Sequence, residues 1–299
     1  MDFTLTDTQR ALQTLAHDYA EKEIRPFVRD RERLEDPEER FPWDILEKGS
    51  QLGLRTLSLS EERGGAGANI LDLCIVGEEI AWGDLGVAVT FDQTWKIIHF
   101  LDRVWNEEQR ARILPSYLAD HRFHLAVGMT EPNVGSENFT PDENPAHGVH
   151  TRAERDGEDW IVNGMKHFIS NGGIAKLYTL VTRTDPSVAV SKGVTYFMVA
   201  PGQEGFSIGR IHDKMGQRLS QNAELIFENC RIPDSDRVTA VGGGVGARSG
   251  SFARGSVIES AATALGPARA AYEDALEHAR NRVQGGKPII EHHGVGFML

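Results

Sequence analysis

The stretch DGEDWIVNGMKHFIS, residues 156–170, decides how the middle of this 299-residue chain folds. It contains two short runs of β-branched and aromatic residues, at 160–162 and 168–169, which favour pleated, half-buried strands. Asp156-Gly157 and Asn163-Gly164 stand beside these runs, and both dipeptides supply the positive φ angles that tight hairpin turns require. We therefore expect antiparallel strands joined by hairpins in this region.

Similar β-rich runs lie on both sides of this stretch. They occupy residues 123–127, 177–181, 194–199 and 225–227. In the first of them apolar residues alternate with more polar neighbours, which is the period of a half-buried strand. We therefore predict a central domain over residues 123–240 that is an antiparallel, β-barrel-like sheet.

The residues before the β region have helical periods. Thr6 and Gln9 have the spacing of a capping box, and apolar residues then recur along one helical face as far as Tyr19. We expect Pro26 to end or bend this helix, because proline lacks the backbone N–H that a helix interior needs. Residues 1–122 are predicted to form an N-terminal helical bundle.

The helical period returns after the β region, from Ile258 to Val283, and predicts one long amphipathic helix that Gly285-Gly286 stops. The glycines between residues 242 and 250 favour a flexible connection; a phosphate-binding loop is the weaker alternative, since no Lys-Ser/Thr follows the last glycine. Residues 241–299 are predicted to be a partial C-terminal helical bundle. The fold class is therefore α+β.

Composition and charge exclude several classes of protein. The hydrophobic share is 40% and the charged share 25%, as in an ordinary globular chain. A net charge of −12 repels nucleic acid and anionic membranes, and no apolar run is long enough to span a bilayer. Cys74 and Cys230 fit neither a disulfide framework nor a metal motif. We expect a cytoplasmic protein with packed thiols, without a metal, a nucleic-acid partner or a membrane partner.

Four segments resemble the acyl-CoA dehydrogenase family. Met129–Glu137 (MTEPNVGSE) resembles its Thr-Glu-Pro-x-x-Gly-Ser signature, and Asn163–Gly172 (NGMKHFISNG) resembles its second flavin segment. KMGQR at 214–218 and LIFENCRIP at 225–233 resemble the segments that follow in the family's β domain. The matches occur in the family's order and cover nearly the whole chain, but most of the last helical bundle is absent. The resemblance therefore implies a flavoprotein that is truncated at its C-terminal end relative to the family.

The resemblance implies FAD as the cofactor. A flavin ring needs partners around its edge that do not ionise, and hydroxyl groups on a closely approaching loop can provide them. The implied cofactor-binding residues are Val127, Met129, Thr130, Gly135, Ser136, Phe168, Ile169, Ser170, Arg282 and His293. Ser136 and Arg254 are the implied substrate-binding residues. Taken alone, the residues leave other interpretations open: a plain turn at 130–132, a core position for Phe168, and solvated side chains for Arg282 and His293.

The family's chemistry implies α,β-dehydrogenation of an acyl-CoA thioester to a trans-2-enoyl-CoA, within fatty acid metabolism. In this chemistry a carboxylate must remove the α proton. Relatives place this base at one of two positions, and one of them is Ala253 here, which cannot accept a proton. Glu259 lies six residues further on, about 240° around the helix, and so faces another direction. The base is therefore expected beyond Leu299, and whether this chain alone is an active enzyme stays open.

Two alternative functions remain. One is a flavin oxidase or monooxygenase of the same fold, and the other is a non-catalytic partner subunit or remnant that binds flavin or an acyl thioester. For the main hypothesis, the resemblance implies an acyl-CoA substrate, an electron-transferring flavoprotein as the electron acceptor, and a homotetramer. The residues do not specify the length of the acyl chain.

Overall fold

In the computed structural model, residues 4–139, 143–248 and 251–299 are described, and the side chains of 138, 139, 248 and 251–256 lie outside this description. The N-terminal part is helical. Its α-helices are α1 (Asp7–Tyr19), α2 (Arg25–Arg31), α3 (Pro37–Arg40), α4 (Trp43–Gln51), α5 (Ile70–Gly83), α6 (Leu85–Val104) and α7 (Glu107–Ala119). Among the described residues, no helix has the length and apolar character needed to cross a bilayer.

The predicted capping box at the start of α1 is confirmed. Thr6 Oγ1 accepts a hydrogen bond from the Gln9 backbone N–H at 3.2 Å, and Gln9 Oε1 accepts one from the Thr6 N–H at 3.0 Å. The chain then remains helical through a π-helical segment, Ala20–Ile24, which leads into α2. Pro26 lies in the first turn of α2, directly after the π-helical segment, and it does not end the helical region.

The middle of the chain forms a seven-stranded sheet. Its strands are β1 (Leu125–Gly128), β2 (Arg152–Asp156), β3 (Asp159–Ser170), β4 (Leu177–Arg183), β5 (Val194–Val199), β6 (Phe206–Ile211) and β7 (Asn222–Pro233). The order is β1-β4-β2-β3-β7-β6, and β5 pairs with the other side of β4. Most ladders are antiparallel, as predicted, but β1 and β2 each run parallel to β4. The hairpin signals in the sequence do not report these two parallel pairs, because they join strands that are distant in the chain.

One of the two predicted hairpin turns is confirmed and the other is wrong. Gly157, with φ of +63°, lies in the tight turn between β2 and β3. Asn163-Gly164 instead lies inside β3, at a shift in the register between β3 and β7. A Cβ on Gly164, whose φ is +145°, would come within 2.7–2.9 Å of Thr151 atoms, so the glycine serves a bulge with close packing rather than a turn.

The C-terminal part is helical up to a small hairpin. Its elements are α9 (Gly244–Arg248), α10 (Ser251–Asn281), β8 (Val283–Gln284), β9 (Lys287–Pro288) and α11 (His293–Gly296). One further short helix, α8 (Val190–Gly193), lies earlier in the chain and precedes β5. The long predicted helix is α10, although it ends at Asn281, and Gly285-Gly286 form the β8–β9 turn. The glycine-rich connection includes the short helix α9, so part of it is regular rather than flexible.

Helix α6 joins the helical part to the sheet. Its residues Ile97, Ile98 and Phe100 belong to one buried apolar cluster with residues of β1, β4 and β5. Helix α10 packs on α5 and α6 from the other side. Cys74 and Cys230 are free thiols, partly and fully buried respectively, as the sequence predicts. This arrangement leaves a space between α6 and the sheet.

Candidate functional site

A cavity of about 310 Å³ lies between α6 and one face of the sheet. Its described lining residues are Gln93, Lys96, Ile97 and Phe100 of α6, Val127, Met129, Thr130, Phe168, Ile169, Ser170, Thr179 and Tyr196 of the sheet and its loops, and Ser260 of α10. Six predicted site residues, three from the end of β1 and three from the end of β3, are therefore brought to one wall. Residues that are about forty positions apart in the sequence meet because both strands end at this cavity.

Phe168 holds an unusual position on this wall. Its φ is +57°, and the register of β3 against β7 shifts between Lys166 and Ile169, so the backbone bulges there. Phe168 is 57% exposed, and its ring packs against the His167 ring at an angle of 36°, with 3.9 Å between the ring centroids. A core position for Phe168 is therefore wrong: the bulge turns a large aromatic face outward, which costs energy unless a ligand covers it.

Hydrogen bonds from side chains fix the end of β3. Asn222 Nδ2 donates to the Phe168 carbonyl at 3.0 Å and to Ser170 Oγ at 3.4 Å. Asn171, fully buried, donates to the carbonyls of Thr90 and Leu125, which ties this end to α6 and β1. The Ser170 hydroxyl is thus held on the cavity wall by groups that do not change their charge.

A buried ion pair holds the loop that follows β1. Lys166 Nζ donates to Glu131 Oε1 at 2.8 Å and to the Met129 carbonyl at 3.2 Å, while the Glu131 carboxylate accepts the N–H groups of His150 and Thr151. Burial lowers the pKa of Lys166 to about 8. For Glu131, burial opposes ionisation, but Lys166 and the hydrogen bonds outweigh it and hold its pKa below the usual value. The loop at 130–132, for which a plain turn was the alternative interpretation, is therefore built around a buried charge pair, which the sequence reasoning missed.

Gly135 and Ser136 lie further along the same loop, outside the described lining of the cavity. Both are exposed, and Ser136 begins a 3₁₀ turn, Ser136–Phe139. A Cβ added to Gly135 would meet no described atom within 4 Å. No contact within the described chain therefore requires glycine at this position.

Two of the remaining predicted residues, Arg282 and His293, are not among the described residues of the cavity wall. Arg282, just after α10, and His293, in α11, are both exposed, and the His293 ring lies 5.6 Å from that of Phe297. The side chains of Ala253 and Arg254 are among those outside the described residues, although their backbone belongs to α10. The described geometry therefore leaves the roles of these four residues as predictions.

Profiles of a single family match nearly the whole chain. They are "Acyl-CoA dehydrogenase, N-terminal domain" over residues 6–121, the middle domain over 126–230 and the C-terminal domain over 251–299. The chain is also 33% identical to the short-chain specific acyl-CoA dehydrogenase of Megasphaera elsdenii, in an alignment that covers 100% of this chain and 76% of that protein. The chain belongs to the acyl-CoA dehydrogenase family.

Solved structures agree with this family assignment. Butyryl-CoA dehydrogenase from Megasphaera elsdenii superimposes with a TM-score of 0.88 at 33% identity, over 99% of this chain and 75% of that one. Glutaryl-CoA dehydrogenase from Mycobacterium smegmatis, solved in complex with FADH2, gives 0.83 at 26% identity, over 98% and 70% of the two chains. The α+β fold class and the family resemblance are confirmed.

The described residues of this acyl-CoA dehydrogenase family member fit the flavin that the family implies. Thr179 is 2% exposed, lines the cavity, and its hydroxyl has no hydrogen-bond partner among the described residues. Thr130 and Ser170 add hydroxyls that keep their charge state, and Phe168 adds an aromatic face. A planar ring with a polar edge would satisfy the orphan hydroxyl and cover the exposed ring, and the open space beside Gly135 leaves room for a ligand along the loop.

Glu259 is buried beside α6 and is not among the residues that line the cavity. Its Oε2 lies 3.8 Å from Lys96 Nζ, and burial together with the negative charge of Asp92 raises the pKa of Glu259 to about 7. Such a pKa suits proton transfer, but the carboxylate lies behind the wall rather than on it. That Glu259 is not the catalytic base therefore stays a prediction.

Proposed function

We propose that this chain binds FAD in the cavity between α6 and the sheet and acts on acyl-CoA thioesters, converting them to trans-2-enoyl-CoA. The observation that carries the proposal is the convergence of Thr130, Phe168 and Ser170 on one wall of that cavity. The relatives named above act on short acyl-CoA thioesters. When bound, FAD supplies the acceptor for the hydride that leaves the β carbon.

The chain's own residues would bind and orient the cofactor. The hydroxyls of Thr130 and Ser170 would bond the edge of the ring, Phe168 would cover one face, and the main chain from Val127 to Met129 would border the ring on the same wall of the cavity. The Lys166–Glu131 pair would keep this loop in place. For Gly135, Ser136, Arg282 and His293 we propose contacts to the rest of the cofactor, with Ser136 and Arg254 also contacting the thioester; the support is the family resemblance.

A base must remove the α proton, and we propose that residue 253 does not supply this base. Alanine at that position has no group that accepts a proton. This observation also favours a second candidate function, in which the chain binds FAD and the acyl thioester without turning the thioester over. The two candidates differ only in what happens after the substrate binds.

One experiment tests both candidates. The purified chain is mixed with FAD, unbound FAD is removed, and the visible spectrum is recorded before and after anaerobic addition of butyryl-CoA. Acetyl-CoA is the matched control, because it has no β carbon from which a hydride can leave. Bleaching by butyryl-CoA alone supports the dehydrogenase; a shifted but unbleached spectrum supports binding without turnover. Protein that retains no FAD contradicts both candidates.

We also propose the partners that accompany this reaction in the family. The electron acceptor would be an electron-transferring flavoprotein, and the assembly a homo-oligomer. Helix α10 supports the second proposal, because Val257, Ile258 and Leu265 on it are each more than half exposed. Light scattering after size exclusion would give the mass of the assembly, and a monomer at micromolar concentration would contradict the homo-oligomer.

A further inference from the structure

A charged group lies on the α6 side of the cavity, across from the strands that carry Phe168 and Ser170. Among the described lining residues Lys96 alone carries a full charge, and it is only 7% exposed. Lys96 Nζ donates to a carboxylate oxygen of Asp92 and, at 3.2 Å, to Ser260 Oγ. This wall therefore presents a desolvated cation to whatever occupies the cavity.

Toward the described residues, the Lys96 ammonium uses two of its three donors. It has three N–H groups, and two of them form the hydrogen bonds to Asp92 and Ser260. Glu259 Oε2 is 3.8 Å away, too far for a hydrogen bond, and the hydrogen bonds of Lys96 Nζ to described residues are those to Asp92 and Ser260. The Gln93 side chain lines the cavity one helical turn earlier. An alkyl group placed against these donors would leave them desolvated and unpaired, which is costly.

The charges behind this wall disfavour a negatively charged ligand. Asp92 and Glu259 are 3% and 5% exposed, and their carboxyl groups interact with each other behind the wall, where burial raises the pKa of both. Asp92 already balances the charge of Lys96, so a third carboxylate would find no uncompensated positive charge among the described lining residues and would be repelled by Asp92. The wall therefore favours an acceptor that carries no charge.

We infer that Lys96 and Gln93 select acyl-CoA thioesters whose short acyl group ends in an uncharged hydrogen-bond acceptor, a ketone or a hydroxyl. This inference rests on the proposed function, in which FAD occupies the sheet side of the cavity and the acyl group the α6 side. Because dehydrogenation removes hydrogens from the α and β carbons, the acceptor is carried by the fourth carbon or one beyond it. The butyryl group in the name of the Megasphaera elsdenii relative has no such acceptor.

Three thioesters of matched shape test the inference: 4-oxopentanoyl-CoA, 4-methylpentanoyl-CoA and succinyl-CoA, which differ at the fourth carbon by a ketone, a methyl branch or a carboxylate. Dissociation constants are measured anaerobically by calorimetry on the FAD-loaded chain. A hydrogen bond from a charged donor is expected to make the ketone bind about tenfold more tightly than the methyl compound. The carboxylate is expected to bind more weakly than the ketone.

Variants locate the effect. Lys96→Met should remove the preference for the ketone over the methyl compound, whereas Lys176→Met, at an exposed lysine paired with Asp120, should leave it unchanged. Gln93→Leu, outside the buried ion pair, should reduce the preference and serves if Lys96→Met does not fold. Binding of the methyl compound as tight as that of the ketone, or tighter, overturns the inference while the proposed function stands. Tightest binding of succinyl-CoA overturns the requirement that the acceptor be uncharged. Failure of all three to bind contradicts the proposed function itself.

Discussion

At the scale of single residues, Gly135 gives a direct test of where the cofactor lies. An added Cβ meets no atom of the described chain, so Gly135→Ala should fold with an unchanged Tm. If the open space holds part of FAD, the methyl group should crowd the ligand and lower its affinity about tenfold. The retained FAD is measured by absorbance after gel filtration.

Gly216→Ala is the control for Gly135→Ala, because Gly216 also faces open space but is neither on the cavity wall nor on the loop at 129–136. It should leave both the Tm and the FAD content unchanged. Equal FAD retention in the two variants would show that the space beside Gly135 is not used by the cofactor.

His124 makes the stability of the fold sensitive to acid. It is fully buried, its Nδ1 lies 3.0 Å from Thr94 Oγ1, and burial lowers the pKa of His124 to about 3, from 6.5. Between these two pH values the unfolded chain binds a proton that the folded chain does not, so stability falls as the pH falls. Relative to His124→Asn, which keeps a group at the Nδ1 position, the wild type should lose about 1.4 kcal/mol of unfolding free energy per pH unit below pH 6.5.

Urea titrations at pH 7, 6 and 5 would measure this slope. The exposed His278→Asn variant is the control and should follow the wild type over the whole range. Parallel curves for the wild type and His124→Asn would mean that His124 is charged in the folded state or that acid opens its surroundings first.

Among the site residues, those in local motifs could be predicted from the sequence and those that depend on distant partners could not. Thr130 and Ser170 lie in stretches with a family signature, and both are on the cavity wall. Lys166 and Lys96 are lysines, which are normally exposed, and only the packing shows that they are buried beside Glu131 and Asp92. Their roles depend on contacts between chain segments, which no local pattern reports.

At the scale of elements, the crossing of α5 and α10 depends on Gly266. A Cβ there would lie 2.5 Å from the Glu78 carbonyl and 2.6 Å from the Trp82 nitrogen, both backbone atoms of α5. Backbone cannot move aside as a flexible side chain can, so Gly266→Ala should force the helices apart and destabilise the chain by roughly 1–3 kcal/mol, although alanine is the better helix former. Urea unfolding measures the loss.

Ala264→Gln, on the exposed face of the same helix, is the control for Gly266→Ala and should change the unfolding free energy by less than about 0.5 kcal/mol. A Gly266→Ala variant as stable as the wild type would show that α10 shifts on α5 without cost.

The elements themselves were largely predictable, because amphipathic periods and caps act locally. The capping box at Thr6 and the long helix α10 follow from such patterns. Asn163-Gly164 was misassigned since glycine with a positive φ serves a bulge as well as a turn, and only the nearness of Thr151 decides between them. The parallel pairing of β1 with β4 likewise depends on a long crossover rather than on any local signal.

At the scale of the whole molecule, the cavity makes ligand binding a link between the helical part and the sheet. Its walls come from α6, from β-strands and from α10, so a ligand that fills it contacts all three parts. FAD that binds only the folded state should add about 2.7 kcal/mol of stability at one hundred times its dissociation constant. With an unfolding entropy of about 2.1 cal/mol/K per residue, this corresponds to a rise in Tm of roughly 4 °C.

The rise should appear for the helical and the β signals together, because the shared cavity couples the two parts. Far-ultraviolet circular dichroism follows the helices, and the β-sheet component of the infrared amide I band follows the β region. Gly135→Ala, at the same FAD concentration, should show a smaller rise in both signals. A Tm that rises in one signal but not in the other would place FAD within a single part of the fold, away from the wall that joins α6 to the sheet.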